Sequence, residues 1–268
     1  MHIGKLGRKN MSYLSVVEIA KQWGMSERSV RNYCAQGRVE GAFLTGKTWN
    51  IPSDAEKPYR IHKQSEFQTA LLDQLKREKK NRFSGSIYHK LQVDLTYHSN
   101  GMEGNKLTYE QTRSIFEANT LGITVQAVNV DDVVETINHF ECVDMVINEA
   151  QFRLTEKFIK QLHRTLKSGT SDSRKAWFAV GEYKLLANEV DGHETTPPEK
   201  VAGEMKTLLK NYNKKNEKTL EDILDFHAKF EQIHPFQDGN GPVGRLIIVK
   251  ECLRNNIEPF FMIGGISK

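Results

Sequence analysis

Twelve residues concentrate the reactive groups of this chain. From His234 to Arg245 it reads HPFQDGNGPVGR, which places an imidazole able to act as a base, the Asp238 carboxylate, a Gly239-Asn240-Gly241 turn and the Arg245 guanidinium in one stretch. Glycines open backbone angles closed to residues with a Cβ, so consecutive N–H groups can face a single concavity. Val243, Leu246, Ile247 and Leu253 then recur at helical spacing. A turn feeding a helix start holds phosphate oxygens on free N–H groups at the positive end of the dipole. Asp238 stands beside that cradle, and a single carboxylate there suits Mg²⁺, which keeps several waters and borrows one or two carboxylates plus substrate phosphates.

These groups need a frame, and the surrounding sequence supplies helices. Val133, Ile137, Phe140, Val143 and Ile147 lie on one helical stripe, LTEKFIKQLHRTL runs from Leu154 to Leu166, and Leu220, Ile223, Leu224, His227 and Phe230 lead into the motif. His139, His163 and His227 have no reactive neighbours in sequence and read as packed core residues. Between Ala176 and Pro198 the helical pattern stops, and the Asp191-Gly192 pair is a hairpin signal. Upstream, a helix through Ile87, Leu91 and Leu95 runs into TYHSNGMEGNKLT. Ser99 and Glu103 are four apart, on one face of a helical turn, and Gly104 is suited to end it. Gly101 weakens that turn by about 1 kcal/mol.

The chain has 268 residues, 38% hydrophobic and 27% charged, enough for a sizeable core and more than one domain. It holds no run of about 18 apolar residues, and its start lacks the apolar segment of a signal peptide. The expectation is a cytosolic protein without membrane contact. Cys34, Cys142 and Cys252 are too scattered for a disulfide framework or a zinc site. Charge is uneven: residues 1–60 hold ten Lys or Arg against five Asp or Glu, so +5 of the net +4 lies there and the remainder carries −1. A basic segment beside a near-neutral one points to a polyanionic partner for the first.

That basic segment has its own pattern. Val16, Ile19 and Ala20 mark a short helix, Trp23-Gly24 a turn, Ser26 an N-cap, and Val30, Tyr33 and Cys34 a second helix. A hairpin follows through Phe43, a Thr45-Gly46-Lys47 turn and Trp49 to Pro52. It resembles the winged helix-turn-helix of excisionase and MerR-type DNA binders. In that likeness Ser26, Glu27, Arg28, Ser29, Arg31 and Asn32 form the face that enters the major groove of duplex DNA.

The stretch at His234 resembles the Fic signature HxFx(D/E)GNGRxxR, with Pro242 where the family has its first arginine. The resemblance implies a protein adenylyltransferase that moves AMP from ATP to a Tyr, Thr or Ser hydroxyl of a target protein or of itself. It makes His234 the general base, Asp238 the Mg²⁺ ligand, Gly239, Asn240, Gly241 and Arg245 the nucleotide-binding set, and Phe236 a core anchor. Ser99, Glu103 and Gly104 resemble the inhibitory motif (S/T)xxxE(G/N), whose glutamate pairs with the second arginine, Arg245 here. Leu185, Leu186, Ala187 and Asn188 fall on the flap that aligns the target by strand addition. The alternatives are a DNA-binding regulator whose Fic portion senses nucleotide and transfers little, and an enzyme of the same family that removes AMP. Pro242 keeps the former open, since one charge-assisted phosphate contact is worth about 1.5–3 kcal/mol.

The expected fold is mainly α: a Fic helical core with a small β-hairpin flap and a small winged helix-turn-helix ahead of it. The boundaries are 1–58 for the winged module, 59–83 for a linker helix from about Phe67 ending in a basic run, and 84–268 for the Fic domain, with the inhibitory helix at about 97–104.

Overall fold

The computed structural model describes residues 12–35, 37–58, 70–81, 83–122, 127–190 and 192–259. Phe67 and Asp191, with the expected helix start and turn, and the ends of the chain lie outside these residues. The chain divides into two compact units, Met1–Gln64 and Ser65–Lys268. Among the described residues, no helix is long and apolar enough to cross a membrane.

In the first unit, β1 (Tyr13–Leu14) precedes α1 (Val16–Trp23), α2 (Glu27–Ala35), β2 (Phe43–Thr45) and β3 (Thr48–Pro52). Ser15 and Glu18 form a capping box that starts α1, and Gly24 ends it in the left-handed conformation. Ser26 Oγ accepts the Ser29 N–H at 3.3 Å and so caps α2. The strands form an antiparallel sheet in the order β1-β3-β2, with Leu14 opposite Ile51 and Phe43 opposite Asn50. Ile19, Trp23, Val30, Val39 and Ile51 fill a small core beneath.

The second unit contains α3 (Ala70–Asn81), α4 (Ile87–Met102), α5 (Tyr109–Ala118), α6 (Val130–Glu149), α7 (Glu156–Lys167), the hairpin β4 (Glu189–Val190) and β5 (His193–Glu194), α8 (Pro198–Tyr212), α9 (Leu220–Ile233) and α10 (Asn240–Arg254). α10 is buried over nearly its whole surface and packs against α3, α4, α6, α7 and α9. Its residues Val243, Leu246, Val249 and Leu253 meet Leu95, Val143, Ile147, Ile159 and Phe230 in one core. The result is mainly helical, with a small β-hairpin, as expected. Side-chain caps set the helix starts that matter most here: Ser86 for α4, Thr155 for α7 and a Thr219–Asp222 capping box for α9.

Three sequence readings need correction. The helix expected as a linker is part of the core, because Leu72 and Leu75 of α3 are fully buried against α4 and α6. Ile137 and Leu224 lie outside the apolar stripe and are exposed. The helix through Leu95 and the one expected at 97–104 are a single element, α4, which carries Gly101 in its last turn. Glu103 is its C-cap, and Gly104 turns the chain away at φ +91°.

Candidate active site

The loop between α9 and α10 is built around residues that cannot continue a helix. α9 stops at His234, which adopts φ 50°, ψ 62° while its N–H donates to Phe230 O at 2.9 Å. Pro235 then lacks the N–H that another helical turn would require. Phe236 is fully buried and stacks flat on the His163 ring, centroids 4.0 Å apart. The Asn240 side chain clasps Phe236 on both sides: its Oδ1 accepts the Phe236 N–H at 2.8 Å, and its Nδ2 donates to Phe236 O at 2.9 Å. Gly239, at φ +79°, opens α10 without a side-chain cap, so the amides of the first turn remain available to an anion. Asn240 thus contributes its backbone to that turn, while its side chain holds the loop.

Arg245 projects from the second turn of α10 toward the end of α4. Its Nε donates to Ser99 Oγ and its Nη2 to Ser99 O, both at 3.0 Å, and Nη2 also meets Glu103 Oε1 at 2.7 Å. The glutamate lies directly over the helix start, since a Cβ on Gly241 would come within 2.5 Å of Glu103 Oε1. Glycine at this position therefore leaves room for the carboxylate. One turn on, a Cβ at Gly244 would sit 2.6 Å from Glu231 Oε1 and 2.7 Å from His227 Cε1. His227 is half-buried and faces this cluster, not the core interior as expected. His139 and His163 are buried and hydrogen-bonded, to Thr96 Oγ1 and to the Gly181 N–H and Asp238 O respectively.

The charges of the site are strongly coupled. The Asp238 carboxylate pairs with Lys167 Nζ at 2.6 Å, and the same ammonium pairs with Glu135. Burial pushes the Asp238 carboxyl upward, but Lys167 outweighs it and holds the group below its ordinary value. Half of the Asp238 side chain stays exposed. His234 is shifted down, first by burial. Glu231 Oε2 lies 3.7 Å from His234 Nδ1. Burial drives the Glu231 carboxyl up to about 7, with Glu103 adding to the shift and Arg245 opposing it. Lys167, Glu135 and Glu231 were not singled out from sequence. The first two join Asp238 only through packing of α6 and α7, but two glycines three apart on an apolar helix are a readable sign that something approaches closely.

Among the expected flap residues, Leu185, Leu186 and Ala187 are exposed and Asn188 is half-buried. The segment is stitched to the loop between α9 and α10: Leu186 N–H donates to Gln237 Oε1 and Asn188 Nδ2 to Phe236 O, each at 3.1 Å. β4 and β5 continue from it, pairing Val190 with His193.

The profile of the Fic/DOC family matches residues 153–252. A protein adenylyltransferase Fic of Drosophila melanogaster is 31% identical over 169 residues, covering 61% of this chain and 32% of the relative. The chain thus spans about a third of the length of the curated relatives it matches. A Fic family protein from Desulfovibrio desulfuricans G20 shares the fold at TM-score 0.52 and 22% identity, over 73% of this chain and 60% of its own. A Fic domain containing signaling protein from Bacteroides thetaiotaomicron superposes at TM-score 0.54 and is 30% identical, covering 68% of this chain and 72% of its own. With a relative so matched in sequence, coverage and fold, this chain belongs to the Fic/DOC family.

Proposed function

We propose that the chain is a protein adenylyltransferase, restrained by Glu103, that transfers AMP from ATP to a Tyr, Thr or Ser hydroxyl of a target protein or of itself. The observation that carries this reading is that His234 and Asp238 lie in one loop feeding the uncapped start of α10, with Glu103 lodged on Arg245 over that helix start. In the reaction His234 takes the proton of the target hydroxyl. The freed oxygen attacks the α-phosphorus, the bond to the β-phosphate breaks, and pyrophosphate leaves. The first-turn amides of α10 hold the phosphates, and Arg245, once free of Glu103, receives the γ-phosphate. The segment 185–188 runs irregularly into β4 with Leu185, Leu186 and Ala187 exposed, and it is read as the place where an extended target adds as a strand.

The donor set fits Mg²⁺. Asp238 is a half-exposed, ionised carboxylate, and among the described residues no cluster of three His, Cys, Asp or Glu forms a protein-only cage. Asp238 would hold the ion together with waters and phosphates, and the ion would neutralise charge on the triphosphate. Incubation with α-labelled ATP and Mg²⁺ tests the reading. Label should enter protein with Glu103→Gly and be lost with His234→Ala in the same background; label retained with His234→Ala refutes the assignment of the base.

A second activity is proposed for residues 12–58, read as a winged helix-turn-helix that binds duplex DNA. It is supported by the solvent-facing side of α2, where Ser26, Arg28, Arg31 and Asn32 are exposed, and by the +5 charge of the first 60 residues. Binding should be weak and steeply salt-dependent. Anisotropy with labelled duplex at low salt that shows no binding, or binding unchanged by Arg28→Ala, assigns the module to protein docking instead.

A further inference from the structure

We propose that Lys184 is the residue that positions His234, gripping the chain on both sides of the base and tying that grip to the flap. The proposal rests on the reading of His234 as the base. His234 sits between two carbonyls, and Lys184 binds both: its N–H donates to Pro235 O at 2.9 Å and its Nζ to Ile233 O at 3.4 Å. The same ammonium donates to Asn188 Oδ1 and Thr195 Oγ1, each at 2.6 Å. Asn188 passes the connection on to Phe236 O, and Thr195 returns to Asn188 O. One side chain therefore joins the last carbonyl of α9, the segment that would carry a target, and the residue that follows the hairpin's second strand.

Two features say that this grip is more than packing. His234 has a left-handed backbone, a conformation that a residue with a Cβ keeps only when its surroundings over-determine it. Bonds to the carbonyls before and after it supply that constraint. Lys184 is also 2% exposed, and among the described residues its ammonium meets neutral acceptors, Asn188 Oδ1, Thr195 Oγ1 and Ile233 O. A buried ammonium without a counter-ion is costly, and burial lowers its pKa to about 8. A neutral side chain would fill the space at lower cost.

The charge has a use beside a base. His234 is held below its ordinary value by burial first and by the Lys184 ammonium next, while the Glu231 backbone carbonyl, Asp238 and Glu103 pull the other way. Only the neutral imidazole can accept the hydroxyl proton. Lys184 therefore both orients His234 and favours its neutral form.

The test uses the full chain with Lys184→Met, which removes the charge, and Lys184→Arg, which keeps it. In an NMR titration, with the His234 signal assigned by its loss in His234→Ala, Lys184→Met should raise the His234 midpoint and Lys184→Arg should leave it near the parent. In the Glu103→Gly background, Lys184→Met should lower kcat for AMP transfer about ten- to a hundredfold, move the acid limb of the rate profile to higher pH, and leave KM for ATP within about threefold. Lys184→Arg should recover most of the rate. An unchanged His234 midpoint in folded Lys184→Met overturns the proposal, as does an effect confined to KM. In the unmutated chain the His234 signal should also respond as Lys184 loses its proton, below the ordinary lysine range and above the titration of the neighbouring Glu231, and this step should vanish in Lys184→Met; a step that persists there belongs to another group and counts against the proposal. If no variant transfers AMP, the adenylyltransferase reading fails, while the titrations still decide the role of Lys184.

Discussion

Replacing Glu103 with glycine should speed AMP transfer about 5- to 30-fold. The magnitude follows from what Arg245 would lose and keep. Its bond to Glu103 is charge-assisted and 2.7 Å long, which in a dry site would be worth about 1.5–3 kcal/mol. The Glu103 side chain is 37% exposed against 14% for Arg245, so solvent screening brings the value toward that of a surface pair, leaving about 1–2 kcal/mol. Both bonds from Arg245 to Ser99 survive the change, so the guanidinium stays held beside the start of α10. Each 1.36 kcal/mol is tenfold, which gives the stated range. The backbone cost is small, because Glu103 is a helix C-cap at φ −90°, ψ 5° and glycine accepts those angles. Initial rates with α-labelled ATP below saturation would measure the gain, with melting curves as a control for folding. A rate within twofold of the parent, in a variant that melts normally, would show that the Glu103–Arg245 pair does not restrain the site.

Pro242 is buried in the first turn of α10, so Pro242→Arg must force a long charged side chain into filled space. It should destabilise the chain by about 1–3 kcal/mol while lowering KM for ATP in the Glu103→Gly background; a normal melting temperature together with an unchanged KM would refute both halves. Glu231 has a folded-state pKa of about 7, above its unfolded value, so the folded state holds the extra proton. Stability is therefore lost as pH rises from about 4.5 through 7, by up to about 3 kcal/mol. Glu231→Gln should raise the urea midpoint at pH 8 and converge with the parent near pH 5, and equal midpoints at pH 8 would count against this burial penalty.

The motif from His234 to Arg245 was legible because its chemistry is contiguous: a base, a carboxylate and a glycine turn within twelve residues announce themselves without a fold. Ser99 and Glu103 were legible as a second motif, though only tertiary structure brings them to a helix more than 140 residues away. Lys167 and Glu135 were silent, since a lysine near the end of one helix and a glutamate in another look like ordinary surface residues until α6 and α7 pack. Glu231 was hidden for a related reason: two glycines three apart on an apolar helix mark a close approach, but not that carboxylates from other elements are what approach Gly241 and Gly244. α3 was misread because its basic end outweighed Leu72 and Leu75, whose burial depends on α4 and α6. Lys184 gave no signal at all, because its meaning lies in the carbonyls it meets.

The clasp between Asn240 and Phe236 bears on how the protein ages. In an Asn-Gly pair the glycine nitrogen can close onto the side-chain carbonyl, expel ammonia and leave a succinimide that hydrolyses to aspartate or isoaspartate. In the folded chain both edges of the Asn240 amide are engaged by Phe236, and the Gly241 nitrogen is fixed in a helical turn, which keeps ring closure out of reach. The unfolded chain has no such protection. Deamidation at this pair should then act as a clock for the time the motif has spent open, and peptide mass spectrometry after long incubation, with and without mild denaturant, would read it. Equal rates in both conditions would mean that the clasp opens freely in the native protein.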